Sequence, residues 1–385
     1  MIHDLNPWGG QDRSMLEIAW QLNKEYPLEI HSFSIEGYEN WPDMNHVPYQ
    51  SLIKRPIIFK YLNYHLKSLK NLSEKKNKIV QSTGTASLKS DVVQVQFIHH
   101  TWQKIAERMP IDKMNSPSLL RGTYQKLLKY YKLQLEKTVY TPEKNYIAIS
   151  HSIKKELMEH FAIPEQNIQI IYHGVDPTHF YPSHKNEEAQ KIRKEIREKF
   201  SLKNDFVLLH VGALNSRKGL YKSFNTLSFL KKNGIQNVKL LAVGQGDHEI
   251  LKKLSKQCNV EDEVILAPHS KDIRNYYWAS DCFFFPTFYE PFGLVILEAM
   301  ACGLPVACSE LAGGAELIDN NVNGVLFNPW DKPKEIANVL VPLIRDKNLA
   351  TSLGEKARLK AEKHNWDSVG LQYRKFYNNH FSSSQ

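Results

Sequence analysis

Glu290 and Glu298 bracket the segment EPFGLVILE, where two carboxylates flank a Pro-Phe-Gly turn. The turn follows the apolar strand-like run CFFFP (Cys282 to Pro286) and leads into LVILEAMACG, which reads as a helix. A strand that ends in a tight turn before a helix presents unpaired backbone N–H groups where the macrodipole favours an anion. The amides of Phe292, Gly293 and Leu294 are therefore candidate phosphate or diphosphate ligands. Eight residues at 3.6 per turn would bring Glu298 to within roughly 80° of the face of Glu290. One carboxylate could then sit at each end of an elongated ligand. A helix cap and a solvated acid are the commoner fate of such residues. Glu298, however, is enclosed by Val295, Ile296, Leu297, Ala299, Met300 and Ala301, and a buried carboxylate needs a partner.

Other strand ends repeat the theme. Gly212 follows FVLLHV and opens GALNSRKGL, which sets Arg217 and Lys218 just before a helix. A glycine turn with two cations at a helix amino terminus suits a diphosphate, although surface solvation explains such a pair equally well when it stands alone. The loop is not a Walker loop, and VGQGDHE is not a full GxGxxG. Gly9 and Gly10 form a third glycine turn, before a helix expected near Ser14. His99 and His100 end the run VVQVQFI. A histidine there could hydrogen-bond a sugar hydroxyl or relay a proton, while a satisfied structural histidine is the commoner case. His269, Ser270 and Ile273 follow VILAP at a further strand end and are candidate ligand contacts. No DxD or HExxH is present, so no metal site is expected.

The elements that must hold these residues alternate between short β-branched runs and amphipathic runs, the pattern of parallel sheets covered by helices. LEIHSFSI, KIVQST, VVQVQFI, YIAIS and IQIIY read as strands of a first domain, with helices over SMLEIAWQLNKEY and over SIKKELMEHF, the latter capped by Ser150 or Ser152. FVLLHVG, VKLLAVG, EVILAP, CFFFP, LPVAC and GVLF read as strands of a second. The Pro- and His-rich HGVDPTHFYPSHKNEEAQ separates them. The expected division is 1–172, 173–362 and a terminal helix 363–385 that returns to the first domain. The fold class is α/β, two doubly wound domains facing across a cleft, with ligands at the carboxyl ends of strands.

A chain of 385 residues with 42% hydrophobic content has room for two cores. No apolar run is long enough to span a membrane, and MIHDLNPWGG lacks the features of a signal peptide, so a cytoplasmic location is expected. Cys258, Cys282, Cys302 and Cys308 form no CxxC pair and suit packed thiols. Residues 54–137 hold 17 Lys and Arg against 5 Asp and Glu, whereas the whole chain is only +9. This concentration points to an anionic partner, a membrane surface or a charged acceptor. Within it, LLRGTYQKLLKYYKLQLEK has a helical apolar period, read first as a core-packed helix with a solvated lysine face. Nucleic acid ranks last, because no nucleic-acid module is recognisable.

Taken in order, these pieces resemble the family-four glycosyltransferases, retaining enzymes of the GT-B fold that use nucleotide sugars. NPWGGQDRS is similar to the family's amino-terminal glycine loop, IIYHGVD to its interdomain segment, and VGALNSRKGL to its phosphate loop. FFFPTFYEPFGLVILEAMACGLPV carries its E-x7-E hallmark, and NGVLF follows. The resemblance implies that Glu290 meets donor-sugar hydroxyls, Glu298 the ribose, and Phe292, Gly293 and Leu294 the sugar and diphosphate. It implies that Arg217 and Lys218 neutralise the leaving diphosphate, that Gly9 and Gly10 let the first loop approach it, and that His99 or its neighbour His100 faces the sugar.

Three departures accompany the resemblance. Ala213 stands where the family often has Arg, His173 stands where Asn is usual, and only Met1 to Asp4 precede the first loop, where a full strand is expected. The implied reaction is front-face transfer of a hexose to a glycan, lipid-linked or other hydroxyl acceptor. No cofactor beyond the donor is implied, and a UDP-sugar is placed ahead of a GDP-sugar. The alternatives are a nucleotide-sugar hydrolase or epimerase and a non-catalytic nucleotide-sugar sensor.

Overall fold

The computed structural model describes residues 4–6, 9–36, 44–49, 56–73, 78–109, 119–202, 204–268, 270 and 272–381. The chain forms two compact units, the first drawn from 1–107, 117–174 and 366–385, the second centred on 175–365.

In the first unit the described elements run β1 (Asp4–Leu5), α1 (Gly10–Asn23), β2 (Glu29–Ser32), β3 (Ser34–Ile35), β4 (Asn45–Pro48), α2 (Ile57–Ser73), β5 (Gln81–Thr83), β6 (Val92–Val95), α3 (His99–Arg108), α4 (Leu119–Val139), β7 (Asn145–Ala148), α5 (His151–Phe161) and β8 (Ile168–Ile170). Strands β5-β6-β7-β8 form a parallel sheet, and β1 with β3 and β2 with β4 form two further parallel ladders. Val92, Val93, Val95, Ile147 and Ala148 are wholly buried, and so is Gln94 between them, so β6 is covered on both faces. Ser150, not Ser152, caps α5, its hydroxyl accepting the Ile153 N–H at 3.2 Å. Helix α4 departs from the core-packed reading of its apolar period. Leu135 is buried, but Leu127 and Tyr130 of the same helix are exposed.

The second unit runs α6 (Glu187–Lys199), β9 (Phe206–Val211), α7 (Leu220–Lys232), β10 (Val238–Val243), α8 (His248–Gln257), β11 (Val264–Ala267), α9 (Arg274–Ala279), β12 (Cys282–Phe285), α10 (Leu294–Ala301), β13 (Val306–Ser309), β14 (Gly324–Phe327), α11 (Pro333–Arg345) and α12 (Lys347–Lys363). All six strands are parallel, in the order β11-β10-β9-β12-β13-β14. Numbered from β9 this is 3-2-1-4-5-6, so the winding reverses between β9 and β12. At such a reversal the loops leaving the two strands diverge and open a crevice beyond their carboxyl ends.

Helix α6 is fixed to the opposite, amino-terminal edge. Arg193 and Arg197 bind the Asp281 carboxylate at 2.7 and 3.1 Å, and Asp281 also accepts the Val207 N–H at 2.9 Å. Helix α13 (Trp366–Phe381) returns to the first unit and packs on α1, close enough that a Cβ on Gly370 would lie 2.8 Å from Gln21 Cβ. All four cysteines are buried and unpaired. No helix among the described residues is long and apolar enough to cross a membrane.

Candidate nucleotide-sugar site

The loop leaving β9 presses directly on the end of β12. Gly219 precedes α7 at φ +75°, and a Cβ there would stand 1.8 Å from the Pro286 carbonyl oxygen. The Arg217 carbonyl accepts the Phe288 N–H at 2.9 Å and the Thr287 hydroxyl at 3.1 Å, while the Lys218 N–H is held by Asn215 Oδ1 at 3.1 Å. This local zipper turns both cations toward Glu290. Lys218 Nζ hydrogen-bonds Glu290 Oε2, and Arg217 Nη1 lies 3.5 Å from the same oxygen while donating to the Tyr289 carbonyl at 2.7 Å. Lys218 also lies 5.0 Å from the centre of the Phe285 ring.

The electrostatics of this cluster favour an anion. Burial, and then the Arg217 guanidinium beside it, press the Lys218 ammonium well below the ordinary lysine range. Burial also lowers Arg217. His210, beneath them on β9, is pushed down to about 3 by burial and by Lys218, and is therefore neutral. Two desolvated cations share one carboxylate, so a second negative group would relieve their mutual repulsion.

Glu290 sits on a turn clamped from behind, where Gly313 N–H donates to the Glu290 carbonyl at 2.8 Å and Gly314 N–H to the Phe292 carbonyl at 2.7 Å. Phe292 is buried, and Gly293, at φ +90°, opens α10 at Leu294. The helical-phase relation between the two glutamates does not hold, because Glu290 precedes the helix and the left-handed Gly293 interrupts the 3.6-residue repeat. Glu298 is 3% exposed, and Tyr277 of α9 donates to its Oε2 at 2.8 Å.

In the first unit α1 begins at Gly10, four residues before Ser14. Gly9 is its N-cap, at an ordinary φ of −82°, and donates to Asn6 Oδ1 at 2.9 Å. Ser14 is buried and accepts from Gln96 Nε2 at 3.1 Å, and Gln96 Oε1 lies 3.2 Å from Nε2 of buried His173. The start of α1 is thereby tied to the end of β6 and to the boundary residue His173. His99 opens α3, its ring pushed down to about 3 by burial and then by Lys132. Neither ring nitrogen of His99 has a hydrogen-bond partner among the described residues, whereas His100 Nδ1 lies 2.7 Å from Glu136. His269 lies outside the described residues. Ser270 donates to the Asp272 carbonyl at 2.9 Å and Ile273 precedes α9, so both belong to the segment that delivers Tyr277 to Glu298. Among the described residues no hydrogen bond links either to Glu290. No group of three or more metal-ligating side chains is found among the described residues.

Two family models divide the chain between them. Residues 8–179 match Glycosyltransferase Family 4, and residues 192–360 match Glycosyl transferases group 1. This chain belongs to glycosyltransferase family 4. An uncharacterised glycosyltransferase of Methanocaldococcus jannaschii is 30% identical over 230 residues, 59% of this chain and 57% of that protein. The chain spans 57% to 62% of the length of several such curated relatives.

Among solved structures, WaaG, a glycosyltransferase involved in lipopolysaccharide biosynthesis, superposes with a TM-score of 0.75 at 20% identity, covering 97% of this chain and 98% of that one. Anabaena HepE in complex with UDP-glucose superposes with a TM-score of 0.68 at 18% identity, covering 96% of each. These likenesses establish the fold as GT-B. Within this family member, sequence reasoning missed the Tyr277–Glu298 and His100–Glu136 contacts and the close approach at Gly219. Gly219 stood in the quoted GALNSRKGL run and could have been found by asking why a glycine precedes a helix, whereas Tyr277 and Glu136 act across the chain and carry no local signal.

Proposed function

We propose that this protein transfers a hexosyl group, with retention, from a nucleoside diphosphate sugar to a hydroxyl acceptor. The reading is carried by Arg217 and Lys218 converging on Glu290 at the β9/β12 reversal, beside the amino terminus of α10. Glu290 would hold donor-sugar hydroxyls, the amides of Phe292, Gly293 and Leu294 the diphosphate, and Glu298 the ribose, while Tyr277 orients that carboxylate. Gly9 and Gly10 give the first unit a side-chain-free loop at the head of α1, and His99 offers a neutral imidazole to the sugar. The anomeric carbon's bond to diphosphate breaks as the acceptor oxygen bonds from the same face. The acceptor proton passes to the departing diphosphate oxygen, whose growing charge Arg217 and Lys218 stabilise. No metal is required in this scheme.

The HepE complex with UDP-glucose supports a UDP-sugar as donor, and the named role of WaaG supports a glycan or lipid-linked acceptor. A thermal-shift screen tests the donor. At 100 times its dissociation constant a ligand stabilises by about 2.7 kcal/mol, so UDP or UDP-glucose should raise Tm by several degrees. Absence of a shift with every nucleoside diphosphate at millimolar concentration would sink the reading.

A peripheral position at the inner face of a membrane is proposed from the first unit. Helix α2 exposes Phe59, Leu62 and Leu66 on one face, and α4 exposes Leu127 and Tyr130 beside Lys126 and Lys129. Such an apolar face rimmed by lysines binds anionic interfaces, each cation adding about 1 kcal/mol. Sedimentation with phosphatidylglycerol vesicles should be strong at low salt, weak at high salt, and lost in Leu66→Asp. Equal binding to neutral vesicles would remove the charge component.

A further inference from the structure

Helix α3 starts without a cap of its own. Ile98 precedes it, and an isoleucine side chain offers nothing to the first amides of a helix. Glu136, in the last turn of α4, supplies the missing acceptor from 37 residues further along the chain. Its Oε1 accepts the His99 N–H at 2.5 Å, its Oε2 accepts the His100 N–H at 3.2 Å, and the same Oε2 lies 2.7 Å from His100 Nδ1. The residue is fully buried. Burial, opposed by those two amides, raises its carboxyl to about 8, and burial lowers His100. One proton shared between the carboxyl and Nδ1 satisfies both groups.

The consequence is a sorting of two adjacent imidazoles. The His100 ring is drawn back against His160 and Phe161, with centroids 5.9 and 5.2 Å away. Consecutive helical residues point about 100° apart. With His100 held against Glu136 of α4 and the His160 and Phe161 rings of α5, His99 is directed elsewhere and rests against Phe97 at 4.9 Å.

We propose that Glu136 is a positioning residue that fixes the start of α3, so that His99 rather than His100 is presented to the donor sugar. This rests on the reading that His99 touches that sugar. UDP release from saturating UDP-glucose, together with UDP affinity by calorimetry, should be compared in the parent, H99A, E136Q and H99A/E136Q. Glutamine keeps one accepting oxygen but points an amide NH2 at a donor, so E136Q should lower kcat about tenfold while UDP affinity stays within about twofold. The loss should vanish when E136Q is added to H99A.

Two results overturn the role of Glu136 and leave His99 standing: E136Q at the parental rate while H99A is slow, or an equal loss in both backgrounds. A parental rate in H99A instead overturns the His99 reading. Should E136Q fail to fold, H100A preserves both amide contacts and is expected near the parental rate, and a loss as large as that of H99A overturns the sorting. Ring-nitrogen NMR of histidine-labelled parent and E136Q reads the same arrangement without turnover. His99 and His100 resonances should both shift, and unchanged His99 resonances overturn the proposal.

Discussion

Replacing Lys218 with alanine is expected to lower turnover of the nucleotide sugar by about 10²- to 10³-fold, the usual cost of removing one preorganised donor from a developing oxyanion. Lys218 is buried, anchored through its backbone by Asn215 and aimed at Glu290, so its ammonium needs little reorganisation when negative charge grows on the diphosphate. Arg217 remains in the variant but is committed to the Tyr289 carbonyl, which limits how far it can substitute. The rate should be measured at saturating donor, with circular dichroism to confirm the fold. Turnover within about threefold of the parent would remove Lys218 from the diphosphate site.

The second large effect falls on stability and needs no substrate. Gly219→Ala would place a methyl group 1.8 Å from the Pro286 carbonyl oxygen at a residue held at φ +75°. Left-handed strain and overpacking together should cost roughly 3 kcal/mol or more, read as a marked fall in Tm. Gly234 gives the control, since it is also left-handed, at φ +80°, but a Cβ there meets nothing within 4 Å. Gly234→Ala should therefore show only the backbone cost of about 1 kcal/mol. Equal Tm losses in the two variants would show that the approach of the β9 loop to β12 is not what requires glycine at 219.

The second unit was more legible than the first because its strands are longer and buried on both faces. FVLLHV, VKLLAV and CFFF are predominantly apolar runs, broken only by His210 and Lys239, as a covered parallel sheet requires. The burial of Glu298 was likewise readable from its apolar neighbours. In the first unit, β4 (Asn45–Pro48) is partly exposed at every position and has no apolar period to announce it. Helix α3 was hidden for a different reason: its cap lies on α4, and start signals are sought in the residues just before a helix. The phase argument joining Glu290 to Glu298 failed at Gly293, whose left-handed backbone no spacing rule anticipates. The convergence of Arg217 and Lys218 on Glu290 required the strand order, which places two loops far apart in sequence on neighbouring strands.

The second unit begins and ends at one place. Val175 is bridged to Asn365, and its N–H donates to the His364 carbonyl at 2.9 Å. In the order of the chain, residues 175–365 are therefore inserted between two stretches that belong to the first unit. Such an insert can be exchanged by recombination at two cut points, 174/175 and 365/366, without breaking the sheet of either partner. A lineage could acquire a different second unit while keeping its own first unit, and chimeras built at these junctions would show whether the two exchange.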